Sequence, residues 1–304
     1  YAASYFKRYA PVGPDGLGAI YSISPASDPA SVSTYANLDS LFGAGTTGPN
    51  LHNFSFTADY TETASGVVTN TFDAVGKVGL GDLDINDEES RLYTINLFDR
   101  KLYEIPLDQA PTAANVRSSA VPLDQDSLAS NACPDPSASI RPFALKYYQG
   151  SIYVGMVCNG EGAPDSGEQS TWTDSNGDGY FTYGESFTDT NGNGQFDYDF
   201  PDGLFAYVYR VDPATLSFEA TPAFSMSLAF NRGEVNGKFG LGDWAPWART
   251  PNARLHTLIT YPQPILSDIE FDSGNMVLGF RDRFGDQAGD SVQFFSTSIM
   301  LYRA

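Results

Sequence analysis

"GDLDINDEESRLYTINLFDRKLYEI", Gly81–Ile105, decides how the rest of the chain is read. Leu83 and Ile85 alternate with Asp82 and Asp84, the period-two pattern of a half-buried strand. The polar run Asn86 to Ser90 breaks the alternation as a turn, and the pattern restarts at Leu92. A third run, "LYEI" at 102–105, sets an aromatic residue beside aliphatic ones.

Two further stretches repeat this order. "IRPFALKYYQGSIYVGMVC" from Ile140 carries Phe143 and Leu145, a turn, then Ile152. "LSDIEFDSGNMVLGFRDR" from Leu266 carries Ile269 and Phe271, a turn, then Met276. "YVYRV" at 207–211 supplies a third strand for the Ile140 unit. The opening "YAASYFKRYAPVGPDGLGAIYSIS" reads as strands two and three of the same unit without its first strand, and a weaker unit surrounds "KFGLGDWAPWART" near 240. Helical periodicity is nearly absent. Antiparallel strands repeated in one order predict an all-β fold, a β-propeller of six or seven blades, some irregular. A β-sandwich of unrelated hairpins is the alternative. The Ser/Thr/Asn/Pro-rich stretches 25–75 and 106–138 are expected to hold long loops or irregular blades. Residues 1–304 are expected to form one domain, with the terminal strands closing one blade so that no sheet edge remains. Either "SIMLYRA" at 298–304 completes the blade that Tyr1 begins, or residues upstream of Tyr1 have been removed. The lack of an initiator Met and of a signal peptide points to a processed product or a fragment.

The unit that starts at Ile140 is interrupted before its third strand. Residues 159–203 are mostly Asp, Asn, Gly, Ser and Thr, with few apolar side chains to offset the entropy of ordering so long a loop. Their spacing supplies a remedy. With Asp174 as position 1, Asn176 is position 3, Asp178 is 5, Gly179 is 6, Tyr180 is 7, Thr182 is 9 and Glu185 is 12. That is the calcium loop of an EF-hand: side-chain oxygens at 1, 3 and 5, a carbonyl at 7, a bidentate Glu at 12, and Gly at the sharp turn. A second copy begins at Asp189, with Asn191, Asn193, Gln195 and Asp197 in the ligand positions. Its position 12 is Phe200, so Asp197 or Asp199 would have to close the shell. The flanks "TWT" and "SFT" are not helical, so the loops are expected to hold Ca2+ as structural staples and not as a helix-opening sensor.

A net charge of −20 makes nucleic acid a poor partner, because phosphates require Lys and Arg to neutralise them. No run of 18 apolar residues is present to span a membrane. Cys133 and Cys158 are read either as two thiols or as a disulfide, the latter worth roughly 3 kcal/mol by loop entropy. Abundant Ser, Thr, Asn and Tyr with little Lys favours an oxidising, extracellular setting and therefore the disulfide.

"GLGDLDINDEESRLYTINLFDRKLYEI", "RPFALKYYQGSIYVGMVCNGE" and "LSDIEFDSGNMVLGFRDRFGDQ" resemble the propeller-like region of large bacterial surface and secreted proteins that often continue into immunoglobulin-like repeats of the serine-aspartate-repeat B type. The inserted loops are similar to those of dockerins. The resemblance implies a cell-surface or extracellular module for adhesion or assembly, with another surface or filament protein, or a carbohydrate, as partner.

A catalytic reading has less to build on. His52 and His256 are the only histidines, and no GxSxG, HExxH or phosphate loop occurs. Asp82 and Asp84 share a strand face, as do Asp268 and Glu270, and first strands line a propeller's channel. These carboxylates either hold a metal, as in propeller lactonases and phytases, or form ion pairs with Arg141, Arg281 or Arg283. The expectation is a non-enzyme. "GFRDRFGD" at 279–286 reads as a ligand loop or a salt-bridged turn, and Trp244 and Trp247 as a sugar platform or packed covers.

Overall fold

Antiparallel strands dominate a computed structural model of the chain, which places it in the all-β class. The structure describes residues 1–8, 10–25, 31–52, 71–123, 133, 140–161, 173, 175, 186–188, 204–228, 230, 244–247 and 262–288.

Among the described residues four sheets follow one another along the sequence. The first runs β1 (Ala2–Ala3), β2 (Ala19–Ser24), β3 (Ser31–Asn37) in spatial order. The second is β4 (Leu80–Ile85), β5 (Arg91–Asn96), β6 (Lys101–Pro106), β7 (Arg117–Ala120). In the third, β8 (Ile140–Tyr148), β9 (Ser151–Asn159) and β10 (Leu204–Asp212) are neighbours, and both β11 (Ser217–Phe218) and β12 (Phe224–Ser227) pair with β10. The fourth pairs β13 (Pro264–Asp272) with β14 (Asn275–Asp282). Short helices interleave: α1 (Leu38–Phe42), α2 (Thr71–Ala74) and α3 (Arg283–Ala288).

The three repeats read from the sequence coincide with the second, third and fourth sheets. Their turn chemistry explains the tight hairpins. Gln149 and Gly150 (φ 48 and 75) join β8 to β9, and Ser273 and Gly274 (φ 53 and 82) join β13 to β14. Paired positive φ is the two-residue turn whose twist matches the flanking strands. Between β4 and β5 the Asn86 carboxamide oxygen accepts from the amides of Ser90 and Arg91 at 2.9 and 2.8 Å, closing a longer turn.

The opening segment forms β1 and β2, and their third partner, β3, lies in the stretch 25–75 expected to hold long loops or irregular blades. β7 likewise lies within the Ser/Pro-rich stretch 106–138. Weak local patterns such as "SVSTYAN" become strands because a neighbouring edge offers hydrogen bonds. "SIMLYRA" and most of the unit near 240 lie outside the described residues.

β4, β8 and β13, the first strands of three sheets, each carry a register shift, at Leu80/Leu83, Pro142/Ala144 and Leu266/Asp268. A bulge breaks strict alternation and re-aims the side chains after it. Beyond the bulges Leu145 and Ile269 are fully buried, whereas Leu83, Ile85 and Phe271 are only half-buried.

The sheets pack in chain order. Ile20, Ala36 and Leu38 meet Leu80, Leu92 and Ile105 between the first two sheets. Ile95 and Leu102 join Leu145, Val154, Met156, Ile265 and Leu266 in one core across the remaining sheets. The fourth sheet then returns to the first through α3: Arg8 N donates to Asp286 O at 3.2 Å, and Tyr5 Oη donates to Asp286 Oδ2 at 3.1 Å. No helix among the described residues is long and apolar enough to cross a membrane.

Candidate functional site

The carboxylates singled out in the sequence sit where β4, β8 and β13 come together. Asp84 Oδ2 accepts the Tyr147 amide at 2.8 Å, and Asp82 Oδ2 accepts the Leu145 amide at 3.1 Å. Their other oxygens accept the amides of Ile85 and Leu83, both at 2.9 Å. Two side chains of the second sheet thus provide acceptors for the edge of β8 in the third. Lys146 lies 2.9 Å from Glu270 and 3.6 Å from Asp84, bridging β8 to both neighbours. Asp82 is pushed up to about 6, first by burial and then by the negative charge of Asp268 and Asp84, against the pull of its two backbone donors.

The arginines named in the sequence reading turn elsewhere. Arg141 faces Glu161 at 3.7 Å, Arg281 faces Asp286 at 3.2 Å, and Arg283 faces Asp73 at 3.5 Å. "GFRDRFGD" is a salt-bridged turn into α3, with Asp282 accepting the amides of Gln263 and Phe284. Trp244 and Trp247 are 7% and 4% exposed, so neither offers an open face for a sugar. Trp247 donates its indole N–H to Pro264 O at 2.8 Å and lies under the Arg283 guanidinium. His52 stacks on Phe6 with ring centroids 4.4 Å apart; His256 lies outside the described residues.

Sequence reasoning missed a second cluster, at the root of the insertion. Lys77, in the turn after α2, is buried with its ammonium 2.6 Å from Glu161 Oε1 and 2.5 Å from Asp73 Oδ1. Arg283, fully buried, donates to Asp73 O and Val75 O, both at 2.8 Å, and to Gln263 Oε1 at 2.6 Å. Burial lowers Lys77 to about 8 even against the pull of Glu161 and Asp73. Burial alone would raise Glu161, but Lys77 and Arg141 outweigh it and hold it at about 2. The only sequence signal was the i,i+4 spacing of Asp73 and Lys77, common on any helix.

The insertion is fixed at both ends. Asn159 and Leu204 are cross-strand partners, so the chain leaves β9 and re-enters β10 at adjacent positions. Cys158, one residue earlier, is joined to Cys133 with a Cα separation of 5.6 Å. The proposed calcium ligands Asp174, Asn176, Asp178, Tyr180, Glu185, Asp189, Asn191, Asn193, Gln195, Asp197 and Asp199 lie outside the described residues. The two residues that flank the first loop are described: Thr173 N donates to Ser186 O at 2.9 Å. Among the described residues no group of three or more His, Cys, Asp or Glu is placed to hold a metal.

The class these features define is an all-β protein of sequential antiparallel sheets with one disulfide. Its similarities are to the colossins of Dictyostelium discoideum. Identity is 25% to Colossin-A over 294 residues, covering 94% of this chain and 2% of that protein. It is 24% to Colossin-C, covering 94% and 22%, and 24% to Colossin-D, covering 94% and 24%. The chain therefore spans a quarter or less of the length of each of these relatives. No protein-family description and no solved structure matches it.

Proposed function

We propose that this chain is a calcium-stapled β-propeller module of a secreted or cell-surface assembly, acting by adhesion or scaffolding. Its partner is another surface or filament protein, or a carbohydrate bound away from the two buried tryptophans. The observation that carries the reading is the Thr173–Ser186 hydrogen bond, which brings together the two ends of a twelve-residue segment with calcium-ligand spacing. The longer insertion that contains this segment leaves β9 and re-enters β10 at paired positions, one residue from the disulfide. The extracellular setting is supported by that disulfide.

The propeller rests on adjacency. The first sheet packs on the second, the second on the third, the third on the fourth, and α3 returns to the first, a cyclic order. A binding role is favoured over hydrolysis by the state of the carboxylates: Asp82 and Asp84 use both oxygens on backbone amides, and Glu270 faces Lys146. A catalytic metal needs an open coordination position and a base beside it. The match of 94% of the chain to stretches of far longer proteins supports a module within a larger architecture.

Isothermal titration of EDTA-stripped protein is expected to show at least one calcium site, lost in Asp178→Ala; unchanged stoichiometry in that variant refutes the staple. Turnover of lactones or phosphate esters that disappears in Asp268→Asn and Glu270→Gln, with the circular dichroism spectrum intact, would replace the binding role with a hydrolase.

A further inference from the structure

The buried charges at the insertion root are arranged for a covalent reaction. Lys77 Nζ lies 2.6 Å from Glu161 Oε1 and 2.5 Å from Asp73 Oδ1, and the three side chains are 3%, 3% and 8% exposed. Asn159 Nδ2 donates to the other oxygen of Glu161 at 3.2 Å, and the charge of an Arg141 guanidinium nitrogen lies 3.7 Å from it. A nucleophilic amine against a carboxyl group, a second carboxylate beside the amine, and a donor and a positive charge at the far carboxyl oxygen are the parts that amide formation requires. We propose that Lys77 and Glu161 condense into an intramolecular isopeptide bond, with Asp73 as the proton shuttle.

The step starts from the ion pair. One proton moves from Nζ to Oε1 along their contact, leaving a neutral amine and a carboxylic acid. The nitrogen lone pair attacks Cδ, and the carbonyl electron pair moves onto Oε2, where Asn159 and Arg141 stabilise the oxyanion. Asp73 accepts the second Nζ proton and delivers it to the Oε1 hydroxyl, which leaves as water as the carbonyl re-forms. One ammonium and one carboxylate are consumed, one amide and one water are formed, and Asp73 ends as it began. No oxidant or cofactor takes part.

Burial sets both the opportunity and the obstacle. It lowers the Lys77 ammonium, so the neutral amine is nearer to hand than on a surface lysine. Lys77 and Arg141 hold Glu161 ionised, so the ion pair is the resting arrangement from which the neutral pair has to form. The net charge of the cluster does not change, because a cation and an anion vanish together. Once formed, an amide this buried is shielded from hydrolysis. The bond would span 84 residues, tying the turn after α2 to the end of β9. With Cys133–Cys158, the insertion would then be bonded covalently twice where it leaves the sheet.

Mass spectrometry of purified full-length protein decides the matter without any variant. The expected intact mass is one water below that of the disulfide-bonded sequence. Trypsin is expected not to cleave after Lys77, and tandem spectra to show a branched peptide joining Lys77 to Glu161. Lys77→Arg, which keeps the charge and removes the nucleophile, is expected to restore the full mass, and Asp73→Asn to slow the loss of water. A full intact mass with normal cleavage after Lys77 overturns the proposal, and so does a branched peptide joining Lys77 to Asp73.

Discussion

Asp82 shows how one side chain can serve two sheets at a cost that depends on pH. Its carboxylate accepts the Leu145 amide of the neighbouring sheet, and burial raises it from 3.8 to about 6. A raised folded-state pKa means that the folded protein binds this proton more tightly than the unfolded chain. Its contribution to stability is therefore complete below pH 3.8 and is lost as pH rises through about 6. Asn in its place keeps one acceptor and does not ionise. Asp82→Asn is expected to gain on the wild type by roughly 1–3 kcal/mol between pH 4 and pH 7 in urea unfolding; parallel pH profiles would refute this account. The sequence placed Asp82 on a strand face with Asp84. It did not reveal that amides of β8 would be their partners, because those donors lie more than 60 residues away in the chain.

At the scale of the element, the hairpins were the most legible feature and the bulges the least. Gln149-Gly150 and Ser273-Gly274 are local signals, since their positive φ depends only on the residues in the turn. The shifts in β4, β8 and β13 arise where three sheets converge, which no single strand encodes. Gly155 of β9 marks this packing. A Cβ there would lie 2.7 Å from Leu266 Cδ2 on β13 and 2.9 Å from the Cβ of its cross-strand partner Ala144. Gly155→Val is expected to cost about 1–3 kcal/mol through overpacking, read as a lower denaturation midpoint; an unchanged midpoint would mean that the sheets separate freely at this contact. Cys133 and Cys158 were legible as a pair, and the structure supplies the 5.6 Å Cα separation that a bridge requires. Replacing both by Ser is expected to cost about 3 kcal/mol, and reductant should then leave the variant's melting curve where it is while lowering that of the wild type.

For the molecule as a whole, closure between the two ends of the described chain is the feature most open to test. Asp286 of α3 accepts from Tyr5 at 3.1 Å and lies 3.6 Å from Lys7 and 3.2 Å from Arg281. It is buried, so its removal leaves cations and a phenol without their shared partner. Asp286→Ala is expected to release the N-terminal segment before the rest unfolds. Brief trypsin treatment should then cut after Lys7 or Arg8 in the variant and spare the wild type. Equal protection in both would show that the N-terminal segment is held by other contacts.

Periodicity, turn residues and cysteine placement determined the all-β class, the three repeats and the site of the insertion, because each depends on residues close in sequence. The spacing from Asp174 to Glu185, on which the calcium expectation began, is likewise local. Tertiary structure alone decided that Trp244 and Trp247 are buried, that Lys146 and not an arginine faces Asp84 and Glu270, and that Lys77 meets Glu161. Those outcomes depend on which strands become neighbours. A buried charge takes whichever opposite charge the packing brings within reach, and distance along the chain plays no part in that choice.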